Sequence, residues 1–183
     1  VAGLSADGLG QTTFALARYD GTGTLDPLFG SGGVVTTAFG SGDAEARAMV
    51  LDGSARIVLA GTATTAGDTD FALARYDGAG TLDASFGSGG TVTTAFGPSS
   101  DDEANAVAVD ASDRIVVAGW SDAAAAGNRD FALARYDDLG VLDAAFGSGG
   151  LVTLAPGTGD DELHAVAIDA GTNIVVAGVS HHA

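Results

Sequence analysis

Short, mostly apolar stretches follow one another along this chain and are separated by turns rich in Gly, Asp and Ser. In the central part these stretches are residues 103–110 (EANAVAVD), 114–121 (RIVVAGWS), 131–136 (FALARY) and 151–155 (LVTLA). Their length and their Val and Ile content predict β-strands, and in FALARY the large residues Phe131, Leu133 and Arg135 would share one face of the strand. Apart from single helical turns at 25–29 and the equivalent positions, no segment keeps the 3.6-residue period of a helix. The pattern therefore predicts an all-β protein.

The four predicted strands belong to a unit that is repeated in tandem. The phrase FALARYD occurs at 14–20, 71–77 and 131–137, so the copies start 57 and 60 residues apart, and GSGG follows each copy. Four short strands in a repeat of about 58 residues are typical of β-propeller blades. A β-solenoid is the alternative, but its rungs are usually shorter. We therefore predict a propeller made of four-stranded antiparallel blades, with three blades in this chain.

The phrase VAG marks the end of the second strand of each unit and locates the chain ends within the repeat. It occurs at 1–3, in VLAG at 58–61, and in VVAG at 116–119 and 175–178. The predicted divisions are a partial blade with strands two to four, two full blades, and a partial blade with strands one and two. Their bounds are 1–42, 43–100, 101–159 and 160–183.

The repeat resembles that of a known bacterial family. FALARYDGTGTLDPLFGSGGVVTTAFG, followed by an acidic loop, AVAVD and IVVAG, is similar to the delta-60 repeat over essentially the whole chain. The resemblance implies a β-propeller repeat of secreted and surface proteins, and it carries no catalytic assignment. The first copy lacks the Asp that precedes Phe in the others (Asp70 and Asp130), and the third reads LVTLAPG where the others end in VTTAFG.

Composition narrows the classes of function. The net charge of −17, with no lysine, repels a phosphate backbone, so nucleic acid is not an expected partner. The absence of cysteine excludes disulfides and thiolate metal sites. No apolar run approaches the roughly 18 residues of a membrane span. Since no G-x-S-x-G elbow, phosphate-binding loop or HExxH motif occurs, we expect a protein without catalytic activity.

Acidic residues concentrate in the loops that follow the second and fourth strands. If the strands run from the inner to the outer edge of a blade, these loops share one face, here called the acidic face. Its acids are Asp7, Asp43, Glu45, Asp68, Asp70, Asp101, Asp102, Glu103, Asp122, Asp130, Asp160, Asp161 and Glu162. Carboxylates on Gly-rich loops suit Ca²⁺. The two densest clusters, 101–103 and 160–162, are therefore candidate calcium ligands, and the alternative is a solvated surface that maintains solubility.

A repeated Arg occupies the middle of the third strand, where neighbouring blades should cover it. The three copies are Arg18, Arg75 and Arg135. A buried guanidinium needs carboxylates or carbonyl groups as partners. Two sets of aspartates are candidates, namely Asp26, Asp83 and Asp143 in the LD..FG phrase, or Asp52, Asp110 and Asp169 at the end of the first strand. Because these groups recur in every unit, we predict structural pairs.

Positions at which the repeats differ are candidates for ligand binding. One position of the innermost strand reads Arg47, Asn105 and His164, and Trp120 is the only tryptophan. An aromatic ring near a propeller mouth can stack on a sugar, with the acids around it bonding hydroxyl groups. The alternative is that Trp120 fills a gap between blades and that the three polar residues line a channel.

These observations predict a non-catalytic structural or binding module of a secreted or cell-surface bacterial protein. Unpaired strand edges at both ends predict association with other copies or with further blades of a longer chain. Two copies could close a six-bladed ring, or head-to-tail addition could give an open array. A carbohydrate-binding propeller, a filament subunit and a calcium-dependent hydrolase or lyase are the alternatives.

Overall fold

The computed structural model describes residues 1–6, 10–123 and 128–182; Asp7 of the predicted acidic face lies outside them. Thirteen β-strands occur in the described residues: β1 (Ala2–Ala6), β2 (Thr12–Ala17), β3 (Val34–Thr37), β4 (Ala44–Leu51), β5 (Ile57–Thr65), β6 (Asp68–Tyr76), β7 (Thr91–Thr94), β8 (Asp102–Val109), β9 (Ile115–Ser121), β10 (Asp130–Tyr136), β11 (Leu151–Leu154), β12 (Asp161–Ile168) and β13 (Ile174–Ser180). The described part of the chain contains no helix, and thus none suited to cross a membrane.

The strands form four antiparallel sheets in which spatial order follows chain order. The first sheet is β1–β2–β3, the second is β4–β5–β6–β7, the third is β8–β9–β10–β11 and the fourth is β12–β13. The prediction of an all-β fold with four-stranded antiparallel sheets is confirmed. The predicted helical turns at 25–29 and its equivalents are single hydrogen-bonded turns, such as the bond from the Phe29 amide to the Asp26 carbonyl (3.1 Å).

Consecutive sheets pack face to face, with the core between them. The first strands β4, β8 and β12 lie next to one another, so the sheets converge at this inner edge. Alternation in the third strand divides its side chains between two interfaces. In β6, Ala72, Ala74 and Tyr76 pack against the first sheet, whereas Phe71 and Leu73 pack against the third sheet. The second sheet is therefore apolar on both faces.

The innermost strand of the last three sheets contains a β-bulge at the same position. The register shifts between Ala46 and Ala48, and it shifts at the equivalent positions of β8 and β12. The extra residues are Arg47, Asn105 and His164, which are the variable positions of the repeat. A bulge bends the strand and redirects the side chain of the extra residue. The bulges thus place three different polar side chains at the inner edge of the sheets.

Candidate functional site

The repeated Arg of the third strand pairs with the Asp eight residues later, in the LD..FG phrase. The Nε–Oδ2 distance is 2.9 Å in each pair, and the pairs are Arg18–Asp26, Arg75–Asp83 and Arg135–Asp143. Each guanidinium also lies 4.5–4.6 Å from the centre of a phenyl ring, namely Phe29, Phe86 or Phe146. The other candidate partners are used locally, because Asp52 pairs with Arg56 and Asp110 with Arg114, each at 2.6 Å.

The guanidinium also joins its sheet to the next one. Arg18 Nη1 donates to the carbonyl of Gly78 in the second sheet, and Arg75 Nη1 donates to the carbonyl of Asp138 in the third. These carbonyls belong to the turn after the third strand, here called the docking turn: residues 20–24, 77–81 and 137–141 in the first three sheets. The Asp of each pair therefore orients the Arg guanidinium, and in the first two sheets that guanidinium binds the following sheet.

Further contacts surround the docking turns of the second and third sheets. The amide of Gly30 donates to the Ala79 carbonyl at 2.9 Å, and the amide of Gly87 donates to the Leu139 carbonyl at 2.8 Å. A Cβ on Gly80 would lie 2.8 Å from Val35 and 3.0 Å from Phe29, so the turn fits closely against these side chains. We call the receiving surface the socket: Arg18, Phe29, Gly30 and Val35 in the first sheet, Arg75, Phe86, Gly87 and Val92 in the second, and Arg135, Phe146, Gly147 and Val152 in the third.

A buried tyrosine completes each of the two joints among the first three sheets. Tyr76 donates its hydroxyl proton to Thr37 Oγ1 at 2.7 Å, and Tyr136 donates to Thr94 Oγ1 at 2.8 Å. Burial raises the pKa of both phenols, which keeps them protonated as donors. The hydrogen bonds satisfy polar groups that would otherwise be buried alone.

On the acidic face, an Asp just before the first strand of the second, third and fourth sheets accepts a backbone hydrogen bond from the preceding sheet. Asp43 accepts from the amide of Thr12 at 2.7 Å, and Asp101 accepts from the amide of Thr69 at 2.9 Å. Asp160 accepts from the amide of Arg129 at 3.1 Å. Our sequence reasoning missed this role, although the recurrence of an Asp just before the first strand of three units was a usable signal.

The central Asp of each of the two densest acidic clusters is buried and accepts hydrogen bonds from nearby loop residues. Asp102 is fully buried, and its Oδ2 accepts from the Phe96 amide and the Ser100 hydroxyl, both at 2.9 Å. Burial raises the pKa of Asp102, although these hydrogen bonds oppose the change. Asp161 is also fully buried, and it accepts from the Gly157 amide at 3.1 Å and the His181 amide at 3.2 Å.

The calcium sites predicted at Asp101, Asp102 and Glu103 and at Asp160, Asp161 and Glu162 stay a prediction. Within the described ranges, no three His, Asp or Glu side chains come together in a way that could hold a metal ion. Glu103 and Glu162 instead pair with Arg47 and Arg129. The acids lie at the sheet ends that the sequence indicated, and most of their contacts are with backbone amides, hydroxyl groups and arginines, although the buried Asp102 Oδ1 makes no hydrogen bond within the described residues.

The three bulge residues lie close to one another at the inner edge. Arg47 donates to Asn105 Oδ1 at 3.1 Å, and it also donates to Glu103. Asn105 Nδ2 donates to the carbonyl of Leu163 at 3.0 Å. His164 is half exposed, with Nε2 3.9 Å from Glu162 Oε2. Arg47 and Asn105 thus link the innermost strands of the second, third and fourth sheets through polar contacts, and a ligand-binding role for Arg47, Asn105 and His164 stays a prediction.

Trp120 does not fit the predicted role as a sugar-stacking platform. It is only 5% exposed, and the Arg129 guanidinium lies 4.2 Å from the centre of its ring. Arg129 is itself held by Glu162 of the fourth sheet. The ring therefore packs between sheets beneath a cation, which corresponds to the alternative of a gap-filling side chain.

The concave surface on the acidic face is small. A groove of about 190 Å³ lies between Leu4, Thr12, Asp43, Glu45 and Glu103. Binding sites for small molecules usually measure about 300–1,000 Å³ and have largely apolar walls. This groove is below that range and has mostly polar walls, so it favours surface contacts over enclosure of a ligand.

Comparison with known proteins agrees with the architecture. Residues 1–29, 56–86 and 111–146, together more than half of the chain, match the family described as domain of unknown function (DUF5122) beta-propeller. The matched segments contain the second and third strands of the units and the LD..FG phrase up to its Phe. The comparison with curated proteins finds no match.

Proposed function

This chain belongs to the DUF5122 beta-propeller family, and from that premise we propose that it is a non-catalytic structural module that assembles through its open sheet edges. Propellers usually contain four to eight blades arranged in a ring. The proposed role is to supply consecutive blades to such a ring or to an open array.

The observation that carries this proposal is that the two terminal sheets have fewer than four strands and unpaired edges. Within the described residues, the first sheet has three strands and leaves one edge of β1 unpaired, and the fourth sheet has two strands and leaves one edge of β13 unpaired. Apolar side chains near these edges are exposed, including Leu4 at 50% and Val175 at 58%. Unpaired edges next to apolar surface favour the addition of strands from another chain.

The use of the recurring charged groups supports a role without catalysis. Each repeated Arg and Asp described above holds a turn or joins two sheets. An enzyme site usually gathers titratable groups with shifted pKa values in a cleft. Here the two aspartates with raised pKa values, Asp102 and Asp130, are buried on different strands of the third sheet, and burial is the main cause in both.

The solution mass of the 183-residue chain tests the proposal. We expect light scattering after size exclusion to give a mass above the 17.8 kDa of one chain and to show that it rises with concentration. A stable dimer supports closure into a ring, and larger species support an open array. A mass of one chain at every concentration up to about 1 mM would contradict self-association, since Kd values above that correspond to less than about 4 kcal/mol.

We also propose that the parent protein is secreted or on the cell surface. The support is the resemblance of FALARYDGTGTLDPLFGSGG (residues 14–33) to the delta-60 repeat. Fractionation of the native host, with an antibody against this chain, tests the location. Recovery of the protein in the cytoplasmic fraction alone would contradict it.

A further inference from the structure

We propose that two copies of this chain join head to tail, with the docking turn of one copy's first sheet seated in the socket of the other copy's third sheet. The turn is residues 20–24, and the socket is Arg135, Phe146, Gly147 and Val152. This inference rests on the proposed function, because it specifies the contact by which the chains assemble.

The same contact occurs twice within the chain. In both internal joints the socket Arg donates to a carbonyl of the following docking turn, and the socket Gly donates to the next carbonyl of that turn. In both, the turn glycine, Gly80 or Gly140, is buried against the Phe and Val of the socket. Two repetitions with the same atoms show that the two surfaces are complementary.

Within the described residues, one turn and one socket have no partner. Gly23 is exposed and has no atom within 4 Å of a Cβ position, whereas its equivalents Gly80 and Gly140 are buried. Arg135 is 16% exposed, compared with 1% for Arg75 in the other complete sheet. The amides of Gly30 and Gly87 each donate to a carbonyl of the following docking turn, whereas the Gly147 amide makes no such hydrogen bond within the described residues.

The grooves beside the GSGG phrases show the same difference. In the first and second sheets, Gly80 or Gly140 of the following sheet forms part of the wall. The groove beside Gly147 and Val152 in the third sheet has no residue of a following sheet in its wall. A docking turn from another copy would supply that wall.

Docking of the turn also completes the fourth sheet. With its turn in the socket, β2 of the second copy takes the third-strand position beside β13, and β3 follows as the fourth strand. The second copy's β1 then competes with β13 for the second-strand position. β1 pairs with β2 at five positions, whereas β13 pairs with β12 at seven. The shorter pairing favours displacement of β1.

One contact of the internal joints is absent between copies. The third sheet has Leu154 where the first two have Thr37 and Thr94, so the Tyr19 hydroxyl of the docking copy has no hydroxyl partner. We therefore expect a weaker joint than the internal ones. We expect Leu154→Thr to restore the partner and to lower the dissociation constant.

The variant Gly23→Asn tests the joint in the full chain. Asn tolerates positive φ better than most residues, and the Gly23 Cβ position is free in the single chain, so folding should be preserved. After docking, the added side chain would meet Phe146 and Val152. We expect the dissociation constant from light scattering to rise about tenfold or more. Gly32→Asn is the matched control, because Gly32 also has positive φ and a free Cβ position, and it should associate like the wild type.

A mixing experiment distinguishes loss of the joint from loss of folding. Arg135→Met removes the socket cation, so we expect this variant alone to associate about tenfold or more weakly than the wild type. A mixture of Arg135→Met and Gly23→Asn retains one intact turn and one intact socket, and it should form heterodimers. Misfolded variants would not complement each other in this way.

The outcomes separate the two proposals. A wild-type chain that stays monomeric contradicts the proposed function, and with it this joint. A wild type that assembles while Gly23→Asn assembles equally tightly, or a mixture that gives no heterodimer, contradicts the joint and leaves self-association standing.

Discussion

Gly119 lies directly beneath the backbone carbonyl of Glu103, and a Cβ on Gly119 would fall 1.7 Å from that oxygen. The β-bulge at Asn105 brings the two strands together at this point. The same approach occurs at Gly61 and Gly178, where the distances are 1.9 Å. The glycine of the VAG phrase is therefore required by the bulge that orients the polar residues of the inner edge.

We predict that Gly119→Ala lowers the free energy of unfolding by about 3 kcal/mol or more, because the obstacle is backbone and cannot move aside easily. Urea unfolding measures the change. Gly78→Ala is the control, since its Cβ position has no atom within 4 Å and its φ is not positive. An equal effect of the two substitutions would contradict the steric explanation.

The Arg75–Asp83 pair should contribute more to stability than the Arg135–Asp143 pair. Arg75 is 1% exposed, so Asp83→Asn leaves a buried cation without its carboxylate and should cost about 2–3 kcal/mol. Arg135 is more accessible to water, and Asp143→Asn should cost about 1 kcal/mol. Thermal and urea unfolding of the two variants compare them directly. Equal losses would show that the covering sheet is not what makes the first pair important.

The pH dependence of stability should differ in sign between Asp83 and Asp102. A hydrogen bond from Ser85 is the main cause that lowers the pKa of Asp83, with a contribution from Arg75, whereas burial raises the pKa of Asp102. Asp83 therefore contributes stability above its unfolded pKa of about 3.9, and this contribution is lost as pH falls through its folded pKa. Ionised Asp102 instead costs stability, and the cost grows as pH rises from about 3.9 through its folded pKa.

Urea unfolding between pH 3 and pH 7 checks both signs. Asp83→Asn should have a lower free energy of unfolding than the wild type at pH 7, and this difference should become smaller as pH falls. The free energy of unfolding of Asp102→Asn should increase relative to that of the wild type as pH rises over the same range. Parallel curves for the wild type and Asp102→Asn would show that the Asp102 pKa is not raised.

We predict that Trp120→Ala lowers the free energy of unfolding, as measured by urea unfolding. Loss of a buried indole typically costs about 3–5 kcal/mol, and Trp120 is 5% exposed. Trp120→Phe, which keeps an aromatic ring, should cost less and should remain folded. Specific binding of the wild type on a glycan array that disappears with folded Trp120→Phe would contradict the packing role and revive the carbohydrate-binding alternative.

Removal of residues 1–5 should strengthen self-association if β1 has to leave β2 when copies join. The deletion frees the edge of β2 in advance, so no strand has to be displaced. We expect a lower dissociation constant by light scattering, and the combination with Gly23→Asn should abolish the gain. Weaker association after the deletion would indicate that β1 itself forms the contact.

Local pattern was sufficient to predict most of the architecture. The alternation in FALARY and the recurrence of four strands led to an all-β fold with four-stranded antiparallel sheets, because side-chain period and turn composition are properties of neighbouring residues. The recurrence of Arg75 and Asp83 in each unit likewise indicated that these groups have structural roles. The sequence pattern did not show whether Arg75 pairs with Asp83 or with an aspartate at the end of a first strand, such as Asp52 or Asp110, because both kinds of aspartate recur in every unit.

The sequence by itself determined the repeat, the strand order and the positions that vary between units. Only the tertiary structure decided what those positions contact. Asp101 accepts a hydrogen bond from Thr69, and Trp120 lies under Arg129. Arg75 reaches the carbonyl of Asp138, 63 residues away. Most of these contacts join neighbouring sheets, and their geometry depends on how two sheets pack and not on the period of either strand.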